Sequence, residues 1–242
     1  ILGVVGFLVL AGLGGGAYFY FFVWSFTPQA HRHVPKGTNV ALRADGTKIA
    51  TFEPVREHLW PLFLEREKGD EKRRERIREE TGVDIPLDLR EVVVASVDAT
   101  SWVMIVAGDI EPGRFVAGLH KVLEEEEGGT AWEKKGDLLT HPLGAAIGQA
   151  EDGTIVIGTN LDITKAALPE SEPDPNLPVP VEGAISFAVS EDAWDDAIKA
   201  IPIELPGMDA LRDVERATGT MTLSEKPQVR LALIPEEGKA AA

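Results

Sequence analysis

The sequence predicts an α+β protein: an N-terminal transmembrane helix followed by two related α+β modules with mainly antiparallel sheets. Three observations lead there. Residues 1–26 contain no charged residue and 19 of them are apolar, enough to cross a hydrocarbon core of about 30 Å as a helix. Behind them, short alternating apolar runs punctuated by Asp-Gly and Thr-Gly pairs interchange with helical stretches, the pattern of hairpins and helices that build antiparallel layers. A segment with five prolines and four acids, 169–182, then divides the remainder as a stiff extended linker would. The expected boundaries are a transmembrane helix at 1–26, a tether at 27–37, a first module at 38–168, the linker, and a second module at 183–242. The second module is expected to be incomplete at its C-terminus.

The apolar segment exceeds the core of about 7 to 15 residues of a cleaved signal peptide, so it reads as a signal-anchor. Eight of the sixteen aromatics fall in it, crowded towards its C-terminal end. Tyr18, Tyr20 and Trp24 are expected to anchor at the headgroup level. Gly12 and Gly16 form a small-xxx-small pair on which a second membrane helix could pack closely. One anchor before a large domain predicts a single-pass protein of a bacterial inner membrane with its soluble part in the periplasm.

Asn39 to Arg43 and Lys48 to Phe52 alternate around Asp45-Gly46, which predicts a β-hairpin. Val55 to Glu80 reads as helix, divided by Pro61 and Gly69. From Glu65 onward it holds seven acids, seven bases and one apolar residue, Ile77, so a solvated face with pairs such as Glu71–Arg74 and Glu75–Arg78 is expected. Thr81-Gly82 stops that helix. Strands follow at Glu91 to Val97 and Trp102 to Gly108, joined by a turn at Asp98 to Ser101. Pro112 opens an amphipathic helix through Phe115, Val116, Leu119, Val122 and Leu123 that ends at Gly128-Gly129. Ala131 to Glu133 is expected to pair with Leu138 to His141, and Ala145 to Ala150 with Thr154 to Gly158 around Asp152-Gly153. A short helix, Leu161 to Leu168, closes the first module. The second is expected to run as strand Ala184 to Val189, helix Glu191 to Ala200 capped by Ser190, a short helix at Gly207 to Val214, and strands Thr218 to Leu223 and Gln228 to Ile234.

The two modules share an order, and Thr81-Gly82 and Thr218-Gly219 occupy corresponding places, which suggests a degenerate tandem repeat. The run Arg78-Glu79-Glu80-Thr81-Gly82-Val83-Asp84, followed by Asp88-Leu89 and a valine-rich strand, resembles a phrase in uncharacterised bacterial envelope proteins. The resemblance implies one N-terminal span and an α+β extracytoplasmic domain, often duplicated, and it implies no catalytic residues. Asp84 and Asp88 read as turn or capping residues.

Forty acids against 24 bases give a net charge of −16 and argue against a nucleic-acid partner. The charge is polarised: residues 1–80 carry 12 bases and 10 acids, and 81–242 carry 12 and 30, a balance of −18. With no cysteine, disulfides, thiolate metal sites and thiol nucleophiles are excluded. The Walker, dinucleotide-binding, zinc-protease and serine-hydrolase motifs are absent, so no catalytic or cofactor-binding residue is assigned and no cofactor is expected. His31 and His33, two apart behind the apolar segment, read first as residues facing lipid headgroups and only second as a metal pair, so no metal site is assigned. Glu124, Glu125, Glu126 and Glu127 read as a hydrated helix end or, more sharply, as a docking patch for a basic partner. The expected function is a non-enzymatic, membrane-anchored accessory, scaffolding or assembly subunit of a larger envelope complex. Its expected partners are membrane lipid and other subunits of the complex. The alternative is a free-standing extracytoplasmic protein that binds a ligand or peptide in a groove between the modules.

Overall fold

The computed structural model describes residues 27–59, 61, 71–84, 88–127, 131–172, 174–199 and 214–235. The expected transmembrane helix lies outside these, together with Gly12, Gly16, Tyr18, Tyr20, Trp24 and most of the helix expected before Val214. Among the described residues no helix is long and apolar enough to cross a membrane. A 3₁₀ turn at Ala30–His33 leads into β1 (Val40–Asp45), α1 (Gly46–Thr51), a π-helical turn at Val55–Leu59 and α2 (Glu71–Thr81). Next come β2 (Leu89–Ser96), β3 (Trp102–Gly108) and α3 (Phe115–Glu127), then β4 (Glu133–Lys135), β5 (Leu138–Thr140), β6 (Ala146–Gln149), β7 (Ile155–Gly158) and α4 (Leu161–Ala167). The chain continues through β8 (Ile185–Ser190), α5 (Glu191–Lys199), β9 (Val214–Thr222) and β10 (Gln228–Pro235).

The protein is α+β, and its strands form one antiparallel sheet of ten in the order β10-β9-β8-β1-β2-β3-β7-β6-β5-β4. Strands of both expected modules therefore share a single sheet, joined where β1 pairs with β8. Where the alternative reading placed a groove between modules, β1 and β8 form a hydrogen-bonded strand pair. The same pairing explains why the expected hairpin at Asp45-Gly46 does not form. With β2 on one side of β1 and β8 on the other, no edge is left for a partner strand. Asp45 instead accepts a hydrogen bond from the Lys48 N–H and caps α1. The Thr-Gly correspondence also fails: Gly82 ends α2 with φ +74°, while Thr218-Gly219 lies inside β9. There the missing side chain makes room for the ring of Phe187 on β8.

Where the signal is local, expectation and structure agree. Asp98 accepts from the N–H groups of Thr100 and Ser101 and from the Thr100 hydroxyl, which closes the β2–β3 turn and holds its carboxyl down to about 2. β6 and β7 pair around Asp152-Gly153, where Gly153 takes φ +94°. Asp84 and Asp88, read as turn or capping residues, bond each other: the Asp88 carboxylate accepts from the Asp84 N–H and the Asp84 carbonyl from the Asp88 N–H.

The two faces of the sheet are covered differently. On one, Ala41, Val93, Ala95, Val103, Ile105, Val156 and Ala188 are buried under Ala30 of the 3₁₀ turn, Ile163 and Ala167 of α4, and Leu177 of the Pro-rich segment. That segment is no free linker. Ser171 bonds the carbonyls of Arg32 and Val34, Ser186 donates to the Pro180 carbonyl, and Arg216 donates to Pro175. It straps the sheet. On the opposite face, at the β3–β7–β6–β5 end, Val106, Ile155, Ile147 and Leu139 pack beneath Phe115 and Val116 of α3 and Val83 beyond α2. The same face continues in register through Met104, Val94, Leu42, Phe187, Gly219 and Leu231, and there Leu42, Trp102, Met104, Val229 and Leu231 are exposed.

Candidate functional site

The features that could carry function cluster where the chain leaves residues 1–26 and enters the sheet. Arg43 and Glu91 interrupt two apolar strands at inward positions and lie diagonally across the β1–β2 pair. Both are fully buried. Arg43 Nε donates to Glu91 Oε1 at 2.5 Å, and Oε2 accepts from the N–H groups of Gln29 and Ala30 at 2.7 and 2.8 Å. Those N–H groups open the 3₁₀ turn and would otherwise lack acceptors, so Glu91 caps the turn from across the sheet. His31 Nδ1 lies 3.7 Å from Oε1, beyond hydrogen-bond distance, with its ring turned toward the carboxylate. Burial pushes the Glu91 carboxyl up. His31, the Arg43 guanidinium and the Ala30 N–H together pull it further down, below the usual carboxylate range.

Two residues on, the turn gives His33 a different set of partners. His31 and His33 thus face different partners, which leaves no place for the second reading of them as a metal pair, and His33, read first as facing lipid headgroups, is 1% exposed. Its Nδ1 lies 3.0 Å from the Ala167 carbonyl at the end of α4, and its Nε2 lies 3.1 Å from Asp152 Oδ2 in the β6–β7 turn. Asp152 also accepts from the Thr154 N–H and hydroxyl. Burial pushes its carboxyl up, but the Thr154 and His33 hydrogen bonds outweigh it and hold the group below the usual range. Glu170, from the strap, brings a third ligand-type oxygen, and the donor atoms of His33, Asp152 and Glu170 all lie within 4.8 Å of one another. A cavity of about 720 Å³ opens beside them, lined also by Gln149, Ala150 and Leu168.

The acidic run at the end of α3 is partly engaged within the molecule. Arg76 of α2 bonds Glu125, and Glu124 lies 3.7 Å from His120 Nδ1; the side chains of Glu126 and Glu127 lie outside the described residues. Arg76 also reaches Glu80, which Lys121 of α3 bonds at 2.7 Å. Charge on these two helices thus joins them to each other. Arg74 bonds Asp84 at 2.6 Å, beyond the end of its own helix, while the expected Glu75–Arg78 pair is present at 4.0 Å.

Sequence reasoning passed over Arg43, Glu91, Asp152 and Glu170. For the first two a signal existed: a charge at an inward position of an otherwise apolar strand needs a buried partner. Asp152 and Glu170 carried no such signal, because turn and linker compositions explain an acid without further cause.

No family model matches the sequence, and no curated protein matches it. Among solved structures, the chain is similar to crystal forms of a protein called TP0453. Form III aligns with TM-score 0.49 and 10% identity over 89% of this chain and 83% of that one. Form IV aligns with TM-score 0.49 and 10% identity over 87% and 82%, and form I with 0.47 and 10% over 90% and 82%.

Proposed function

We propose that the protein is a non-enzymatic, single-span accessory or scaffolding subunit of a bacterial envelope complex, with residues 1–26 beside partner helices and the sheet bracing the extracytoplasmic side. The observation that carries this reading is the fastening of residues 29–33. A domain that needs only to stay near a membrane can hang on a flexible tether. Here residues 29–33, close behind the apolar segment, are fastened to the fold through Glu91, which Arg43 holds, and through His33. A fixed position of residues 29–30 relative to β2 is what a subunit that braces a complex needs. The exposed apolar stretch around Leu42, Met104 and Leu231 adds a surface of the kind that neighbouring subunits cover.

Purification of the full chain from its native membranes in mild detergent tests this. The chain should migrate in an assembly much larger than itself, and exchange of residues 1–26 for an unrelated span should release it. A monomer under all gentle conditions, or an assembly indifferent to that exchange, would overturn the reading.

A further inference from the structure

The ring of His33 faces two acceptors. A carbonyl oxygen can only accept, so the hydrogen bond at 3.0 Å to Ala167 places a proton on Nδ1. The neutral ring then presents a lone pair at Nε2, and 3.1 Å away stands Asp152 Oδ2, held as a carboxylate by the Thr154 N–H and hydroxyl. Two acceptors at that distance require a positive species between them: a second proton or a metal ion.

Four features favour the metal. Ligands around a tetrahedral ion with bonds of about 2.0 to 2.1 Å stand about 3.3 Å apart, close to the observed separation. A third donor, Glu170, lies in the same cluster, and its exposed position leaves it free to close on an ion. The backbone carbonyl on Nδ1 is the outer-shell partner that commonly fixes the tautomer and orientation of a metal-bound histidine. The cavity of about 720 Å³ leaves space for a fourth ligand such as water or a small anion. Set against these is Arg32, whose Nη1 lies 3.8 Å from Glu170; an exposed pair of that length competes weakly.

We propose that His33 Nε2, Asp152 and Glu170 form a binding site for a divalent first-row transition ion of the zinc class. One nitrogen with two carboxylates suits such an ion better than calcium or magnesium, which prefer all-oxygen shells. The three ligands come from the 3₁₀ turn, the β6–β7 turn and the strap, so an ion would clasp the entry of the chain to both. The site would exist whether or not residues 1–26 enter a membrane.

The test is calorimetric titration of the chelator-stripped full chain in detergent with zinc, with calcium and magnesium for comparison, and with cobalt as a spectroscopic substitute. One zinc equivalent should bind, thermal unfolding should move up with zinc alone, and cobalt should give a visible absorption band of a low-symmetry site. Glu170→Gln removes an exposed ligand without touching the core and should weaken binding by about tenfold or more. His31→Gln, whose ring faces Glu91, should leave zinc affinity unchanged. Absence of saturable zinc binding, or the same affinity in Glu170→Gln and Asp152→Asn as in the parent, would overturn the proposal. So would a ring of His33 that carries both protons in the presence of zinc, since the positive species is then a proton.

Discussion

Glu91 stands between a buried guanidinium and the opening N–H groups of the 3₁₀ turn, and both depend on its charge. In Glu91→Gln, Arg43 keeps its charge inside the sheet but loses its close partner, and the carboxylate left to it among the described residues is Asp45, with Oδ2 3.7 Å from Nη2. Removal of one partner from a buried pair costs about 3 to 5 kcal/mol, so the urea midpoint should fall by that equivalent. The joint replacement Arg43→Met with Glu91→Gln should cost less, because no charge is left stranded and the Gln carbonyl can still accept from the Gln29 and Ala30 N–H groups. Acid should act in the same direction. The folded pKa of Glu91 lies below its unfolded value, which is about 4.3. Its contribution is therefore complete above that pH and is lost as pH falls through the folded pKa. Stability measured against pH should drop more steeply in the parent than in Glu91→Gln over that acid range.

At the scale of elements, α2 and α3 meet through a glycine. A Cβ at Gly118 would run into the backbone at Glu80 and Thr81, neither of which can swing away as a side-chain end would. In an isolated helix Gly→Ala gains about 1 kcal/mol from propensity. Here the clash forces the helices apart, and the net effect of Gly118→Ala should be a loss of about 1 to 3 kcal/mol, read from chemical denaturation. Charge pairs between the same helices, Arg76 with Glu125 and Lys121 with Glu80, lie at the surface and should matter little beside that contact. The helix terminus at Thr81-Gly82 and the turns at Asp98 and Asp152-Gly153 were legible in sequence because each is satisfied within a few residues. Asp45-Gly46 was not, although the dipeptide is the same kind of hairpin signal. Whether Asp45 turns a hairpin or caps a helix depends on whether β1 has a free edge, and β2 and β8 occupy both.

Across the whole molecule, the strap at 169–182 holds the sheet much as a belt does, with Leu177 seated in the core cluster beside Ala30 and Ala188. Leu177→Ala should cost about 2 to 5 kcal/mol. It should also open the strap to limited proteolysis, which the parent should resist because the strap is fastened to the sheet. Cleavage of the parent at 169–182 as fast as in the variant would mean that the strap does not lie on the sheet. The strong negative balance belongs to residues 81–242, whereas Arg43, Glu91 and His33 lie buried in the interior.

By itself the sequence determined the α+β class with its antiparallel pairing, most of the described strands and helices, the helix stop at Gly82 and the chemistry excluded by the lack of cysteine. All of these rest on periodicity, backbone preference or composition, which act over a few residues or over none in particular. Only the tertiary structure decided that ten strands share one sheet, that a Pro-rich linker is a strap, and that His33 meets Asp152 and Glu170 from 119 and 137 positions away along the chain. Pairing and burial between distant segments overrode local signals there, because the hydrogen bonds of a central strand and the cost of a buried charge outweigh the preference of any single turn.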